Sequence, residues 1–199
     1  REEQNGDFQR ESNGKYDNFG RTADNQWETV KASNLKIELV AEGLEFPTTM
    51  AFLGPDDILV LEKDNGTVRR IINNSFLEKP LLKVNVNTEK ELCMCGIATS
   101  KTVSAGNYVF LYFTEIQSNR EKNLEDKESK PLANRLYRYE LIEGNLQKPK
   151  LLLDLPKTAG PHHSGGAVMV GPDGNIYLPV GDFDNIRNKQ YIETKAQNI

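Results

Sequence analysis

The sequence predicts an all-β chain assembled from a repeated antiparallel unit. Two stretches share one strand–turn–strand phrase. Phe52-Leu53-Gly54-Pro55-Asp56-Asp57-Ile58-Leu59 matches Met169-Val170-Gly171-Pro172-Asp173-Gly174-Asn175-Ile176-Tyr177 with one residue inserted. Between them, residues 96–100 and 107–114 (NYVFLYFT) repeat the rhythm. Three such units in order argue for a radial repeat rather than a two-sheet sandwich, with a generic antiparallel fold as the alternative.

Taken in order, residues 1–33 are polar, with Phe8, Tyr16, Phe19 and Trp27 as the scarce apolar anchors. A segment of this composition buries too little apolar surface to offset the entropy of ordering, so an irregular N-terminal arm is expected. Residues 35–39 (LKIEL) alternate apolar and charged, the pattern of a half-buried strand. Residues 48–53 and 58–61 are the next strands, joined by a turn at Gly54-Pro55-Asp56-Asp57. Asp64-Asn65-Gly66 is a hairpin signal, because Gly accepts the positive φ such turns demand. Residues 67–72 then close a four-stranded unit with the strand at 35–39 as its first member.

Residues 117–130 (QSNREKNLEDKESK) are charged and nearly without apolar side chains. They read as a surface insertion loop between two strands. Residues 134–141 resume alternation with Tyr137, Tyr139 and Leu141 on one face, and residues 148–155 supply the next strand.

Composition excludes several roles. The chain has 199 residues, 25 basic against 29 acidic, for a net charge of −4. The basic residues are scattered, which disfavours nucleic-acid binding. No run approaches the roughly 18 apolar residues of a membrane-spanning helix. Two sequons, Asn65-Gly66-Thr67 and Asn73-Asn74-Ser75, are compatible with export.

The chemistry-bearing stretch is 160–184, GPHHSGGAVMVGPDGNIYLPVGDFD. It contains both histidines of the chain, His162 and His163, followed by Ser164, Gly165 and Gly166. Histidine is the side chain whose ordinary pKa suits proton transfer near neutrality. The paired glycines permit close approach of backbone or of a ligand. Adjacent strand residues point to opposite faces, so both histidines can enter one site only from a loop. A two-histidine metal site lacks a third ligand, and no metal is expected. Cys93 and Cys95 form Cys-Met-Cys. On a regular strand their sulfurs share a face, but a disulfide between them would be strained. Two thiolates suit a soft metal such as Cu(I), and two small apolar side chains equally suit core filling.

Three motifs in order resemble the glucose/sorbosone dehydrogenase family, which includes the soluble pyrroloquinoline-quinone (PQQ) sugar dehydrogenases. They are Gly43-Leu44-Glu45-Phe46-Pro47 through Met50-Ala51-Phe52, Glu91-Leu92-Cys93-Met94-Cys95-Gly96-Ile97-Ala98, and His163-Ser164-Gly165-Gly166 through Gly171-Pro172-Asp173-Gly174 to Gly181-Asp182. The resemblance covers residues 35–199 and implies a six-bladed β-propeller. Such a ring needs well over about 300 residues, so about three blades of four antiparallel strands are expected here. Residues 34–199 then read as the N-terminal half of a propeller domain, completed by blades beyond Ile199.

The resemblance also implies function. It makes this an exported quinoprotein oxidising a sugar or related alcohol, with PQQ as hydride acceptor. His163 takes the place of the general base, and Asp182 matches the Gly-Asp whose carboxylate would orient the imidazole. Glu91, His162 and Arg187 are the expected cofactor-binding positions, and Ca²⁺ is a possible ligand of the blades beyond Ile199. The sequence departs from the family pattern at Leu92 (usually arginine), Cys93 (usually glycine) and Ala167 (often arginine). Arg187 stands where bacterial enzymes place a glutamine, which argues against glucose itself as substrate. The alternative function is a non-catalytic propeller that binds a protein or glycan.

Overall fold

The computed structural model describes residues 34–88, 90–102, 106–116, 131–155, 162, 164–181 and 194–196. Among them every regular element is a strand. The predicted arm at 1–33 and the insertion at 117–130 lie outside the described residues.

The first sheet begins with β1 (Pro47–Gly54), β2 (Asp57–Glu62) and β3 (Thr67–Ile72). β1 pairs with β2 and β2 with β3, both antiparallel. The turns at 55–56 and 63–66 fall where Gly-Pro-Asp and Asp-Asn-Gly placed them. The outer edge of β3 is covered twice, by β4 (Ser75–Phe76) at Ile71 and Ile72 and by β5 (Leu82–Lys83) at Thr67 and Val68. β4 and β5 are therefore one fourth strand interrupted around Pro80, which has no N–H to give a ladder.

The fourth strand of this sheet was expected at 35–39, and the structure corrects that. Residues 35–40 carry no strand pairing, and Leu35, Ile37 and Leu39 are exposed. Alternation marks a chain able to half-bury itself, but a strand also needs a ladder partner.

The second sheet is a meander of β6 (Met94–Thr102), β7 (Gly106–Ile116), β8 (Pro131–Ile142) and β9 (Asn145–Asp154). The third contains β10 (Met169–Val170), β11 (Ile176–Leu178) and β12 (Thr194–Ala196). In these two sheets all neighbours are antiparallel and sequential. Three successive up-and-down sheets are the blade repeat of a β-propeller.

Two apolar layers glue the blades face to face. Leu53, Leu59, Leu61 and Val68 of the first sheet meet Met94, Ile97, Val109, Leu111, Phe113 and Tyr139 of the second. Ala98, Phe110, Tyr112 and Leu136 on the other face of the second sheet meet Val168, Ile176 and Leu178 of the third. This explains NYVFLYFT: β7 is buried on both faces, so its apolar residues run on instead of alternating. Side-chain hydrogen bonds tie the first strands of neighbouring sheets, Thr48 Oγ1 donating to Met94 O at 3.1 Å and Thr99 Oγ1 to Phe52 O at 2.9 Å.

Charged pairs bind the edges. Arg70 donates to both carboxylate oxygens of Asp57 at 2.8 and 2.7 Å. Arg135 bridges Asp154 and Glu115, and these hydrogen bonds, Asp154 first, push its guanidinium above the ordinary arginine value. The sequons differ in setting. Asn65 Nδ2 donates to Glu45 Oε2 at 2.6 Å and Thr67 is buried, whereas Asn73, Asn74 and Ser75 are exposed at the β3–β4 turn.

Burial of β7 on both faces makes a prediction. Phe110→Ala should cost about 3–5 kcal/mol, the usual range for emptying a core aromatic site. Phe52→Ala, at an exposed position on β1, should stay within about 0.5 kcal/mol. Urea denaturation of the two variants measures the contrast, and similar losses would contradict the layered core.

Candidate functional site

The site grows from the loop that precedes β10. Residues 164–168 form an extended, irregular loop that leads into β10. This loop lies against the start of β6 with no gap. A Cβ built on Gly96 would lie 2.0 Å from Gly166 O and 2.6 Å from Val168 Cγ2. At Gly166 (φ +149°), a Cβ would meet Cys95 Cβ at 2.6 Å. On its other flank Gly165 (φ +75°) faces Pro179 O, which a Cβ would approach to 2.4 Å. Only glycine satisfies both the positive φ and the close contact.

The occupant of that space decides between backbone and ligand at these positions. On the side where a Cβ would point, neither Gly165 nor Gly166 leaves room for a ligand. Backbone of β6 and of residues 179–180 fills that side.

A buried hydrogen bond fixes the same loop from below. Tyr112 Oη, on β7, donates to Ser164 O at 2.9 Å. Burial pushes the Tyr112 phenol well above its ordinary range, so it stays protonated and able to donate. Ser164 is itself buried, and its Oγ has no hydrogen-bond partner among the described residues. Neither residue was singled out from sequence. The signal for Tyr112 was available, because a tyrosine inside a doubly buried strand needs a partner for its hydroxyl.

The cysteines are a second correction. Cys93 and Cys95 are joined by a disulfide across a Cα–Cα separation of 5.2 Å. A regular strand would hold them about 6.6 Å apart, two rises of roughly 3.3 Å. The ladder between β6 and β7 shifts register between Met94 and Gly96, so Cys95 is the extra residue of a β-bulge. The bulge brings the two Cα atoms closer than a flat strand would, well inside the range that disulfides span. The sulfurs are thus neither thiolate metal ligands nor two separate core fillers.

Of the predicted site residues, two are described. Glu91 is exposed in the turn before β6, and its carbonyl lies 3.9 Å from Cys95 Sγ. His162 is half-buried at a bend, not on a strand, so the opposite-face restriction does not apply to it. His163, Asp182 and Arg187 lie outside the described residues. Their chain neighbours are in contact: Gly165, two residues after His163, packs on Pro179 and Val180, just ahead of Asp182.

A tricarboxylate cofactor such as PQQ needs cations or several donors around its carboxylates. The described residues fit this poorly. Leu92 is 2% exposed and buries its side chain where the family pattern has an arginine. Ala167 likewise offers no polar group. Among the described residues of the loop, the one orphaned polar side-chain atom is Ser164 Oγ.

Tyr112 generates a pH prediction. Its folded pKa is raised, so its contribution to stability is complete below about pH 10, the unfolded tyrosine value, and is lost as pH rises beyond it. Tyr112→Phe should cost about 1–3 kcal/mol at pH 7, because Ser164 O loses its donor in a buried site. It should also flatten the alkaline fall in stability between about pH 10 and 11. Denaturation curves at both pH values check this. An unchanged slope would mean that Tyr112 is accessible to water.

Comparison with known proteins gives a consistent answer. Among curated proteins none matches the sequence. Solved structures do. The PQQ-bound form of an aldose sugar dehydrogenase from Streptomyces coelicolor superposes with a TM-score of 0.60 at 26% identity, over 75% of this chain and 42% of its own. An oxidoreductase (glucose dehydrogenase) from Thermus thermophilus gives a TM-score of 0.59 at 23% identity, over 76% and 42%. A further glucose dehydrogenase gives 0.56 at 20% identity, over 72% and 43%. The chain thus spans less than half the length of these structures. The family model for glucose/sorbosone dehydrogenases matches residues 44–199, and the chain belongs to that family.

Proposed function

We propose that this chain is part of an exported oxidoreductase that oxidises a sugar or related alcohol, with further blades completing the ring around it. One observation carries this: the two family motifs that lie far apart in sequence, around 91–98 and 163–166, meet in backbone contact at Gly96 and Gly166. A loop held on three sides, by β6, by Pro179 and by Tyr112, is a rigid mount for a proton-transferring side chain.

His163 is the general base of this proposal. Oxidation of an alcohol by hydride loss needs the hydroxyl proton removed as the hydride leaves, and imidazole is suited to that near neutral pH. Asp182 orients the imidazole and stabilises its cation, as an aspartate does in a triad. The likeness to a PQQ-bound aldose sugar dehydrogenase favours PQQ as hydride acceptor. Its carboxylates would draw their partners from residues outside those described, among them Arg187, and from the further blades.

A second reading has a specific observation behind it. Leu92 is buried and Ala167 has no polar group where the family pattern has arginines, which favours a non-catalytic propeller that binds a protein or glycan.

The two separate in one experiment on the full-length protein. PQQ is titrated and reduction is followed by absorbance with a panel of aldoses and polyols. His163→Ala should lower turnover by about 10²–10⁴-fold while leaving the circular dichroism spectrum unchanged. Near wild-type turnover in that variant, or no PQQ-dependent turnover in the parent, would sink the catalytic proposal and leave the binding module.

A further inference from the structure

The disulfide at the start of β6 has no part in the chemistry proposed above, yet it sits under the loop that this chemistry needs. One side of the Cys-Met-Cys segment is anchored. The Thr114 N–H donates to Cys93 O at 3.0 Å, Thr48 Oγ1 donates to Met94 O at 3.1 Å, and the Met94 side chain is fully buried. The other side meets the loop. Cys95 abuts Gly166, and Gly96 abuts Gly166 O and Val168, with no space for even a methyl group. Cys93 is buried, whereas Cys95 is partly exposed.

We propose that the Cys93–Cys95 disulfide is a thiol–disulfide exchange site for a dithiol reductant, and that it latches the loop at 164–168 onto β6. The thiolate of the dithiol attacks Cys95 Sγ, the sulfur with access to solvent. The Cys93–Cys95 bond breaks, and Cys93 leaves as a thiolate that takes up a proton. The second thiol of the reductant attacks the mixed disulfide, closes its own internal disulfide and releases Cys95 as a thiol. Two electrons and two protons pass to the protein, and the dithiol is oxidised.

The mechanical consequence follows from the anchoring. Without the cross-link the bulge is no longer closed, and the Cα separation is free to open from 5.2 Å. Cys93 and Met94 are held by their carbonyls, so Cys95 moves. Gly166 is in direct contact with it, and packed backbone transmits such a shift rather than absorbing it. Any effect on catalysis rests on the assignment of His163, next in sequence to Ser164. The latch itself does not.

Amide hydrogen exchange read by mass spectrometry tests the latch on the full chain, before and after dithiothreitol, with iodoacetamide counting free thiols. Both cysteines should alkylate only after reduction. Peptides spanning 164–168 should then exchange roughly tenfold faster, while those of the β7–β8 pair stay unchanged. The Cys93→Ser/Cys95→Ser double variant should show the faster exchange with or without reductant. Equal exchange in both redox states, alkylation without reductant, or a double variant that still responds to dithiothreitol would each overturn the proposal. An aldose-oxidising protein with a redox-insensitive loop would sink the latch alone. A redox-sensitive loop in a protein without such turnover would sink the catalytic assignment alone.

Discussion

No side chain fits between Gly96 on β6 and Gly166 on the loop that follows β9, where a single added carbon would sit 2.0 Å from a carbonyl oxygen. That contact sets how closely the second and third sheets approach. It also fixes where the loop runs, because Gly165 is caught on its other flank by Pro179. The bulge at Cys95 supplies the shape that makes the contact possible, and the disulfide closes the bulge. The Tyr112 hydroxyl then holds Ser164 from the side of β7. The loop's geometry thus depends on backbone contacts first and on one buried hydrogen bond second.

The remaining structure supports that junction. Sheet two is apolar on both faces, with Val109, Leu111 and Phe113 turned to the first sheet and Phe110 and Tyr112 to the third. Burial of this kind dominates the favourable free energy of a β domain. The ion pairs of Arg70 and Arg135 lie in partly exposed positions, where solvent screening keeps such pairs weak. They align strand edges and contribute little to stability.

Much of the fold was legible because turn chemistry and strand length are local properties. Gly-Pro-Asp and Asp-Asn-Gly mark turns in any context, and the strands at 67–72 and 107–114 follow from their own composition. What was not legible depends on partners. Residues 35–39 alternate correctly but have no ladder. The fourth strand of the first sheet is two short pieces around Pro80, too brief to show periodicity. The Cys93–Cys95 disulfide requires a bulge, and a bulge is a property of two strands in register, invisible in one. The glycines at 165 and 166 announced close approach, and sequence alone does not say whether backbone or ligand approaches. Of the predicted site, Glu91 and His162 fall on the loops that flank the junction, while His163, Asp182 and Arg187 lie outside the described residues.

The small residues at 165 and 166 thereby acquire a physical meaning in this chain: they seat the loop on β6 and on residues 179–180. The most direct measurement is a nuclear Overhauser spectrum of the full chain in the oxidised state. Seating of the loop on β6 predicts strong cross-peaks from Cys95 Hβ to Gly166 Hα and from the Tyr112 ring to Ser164. Loop resonances at random-coil shifts, with both cross-peaks missing, would contradict it.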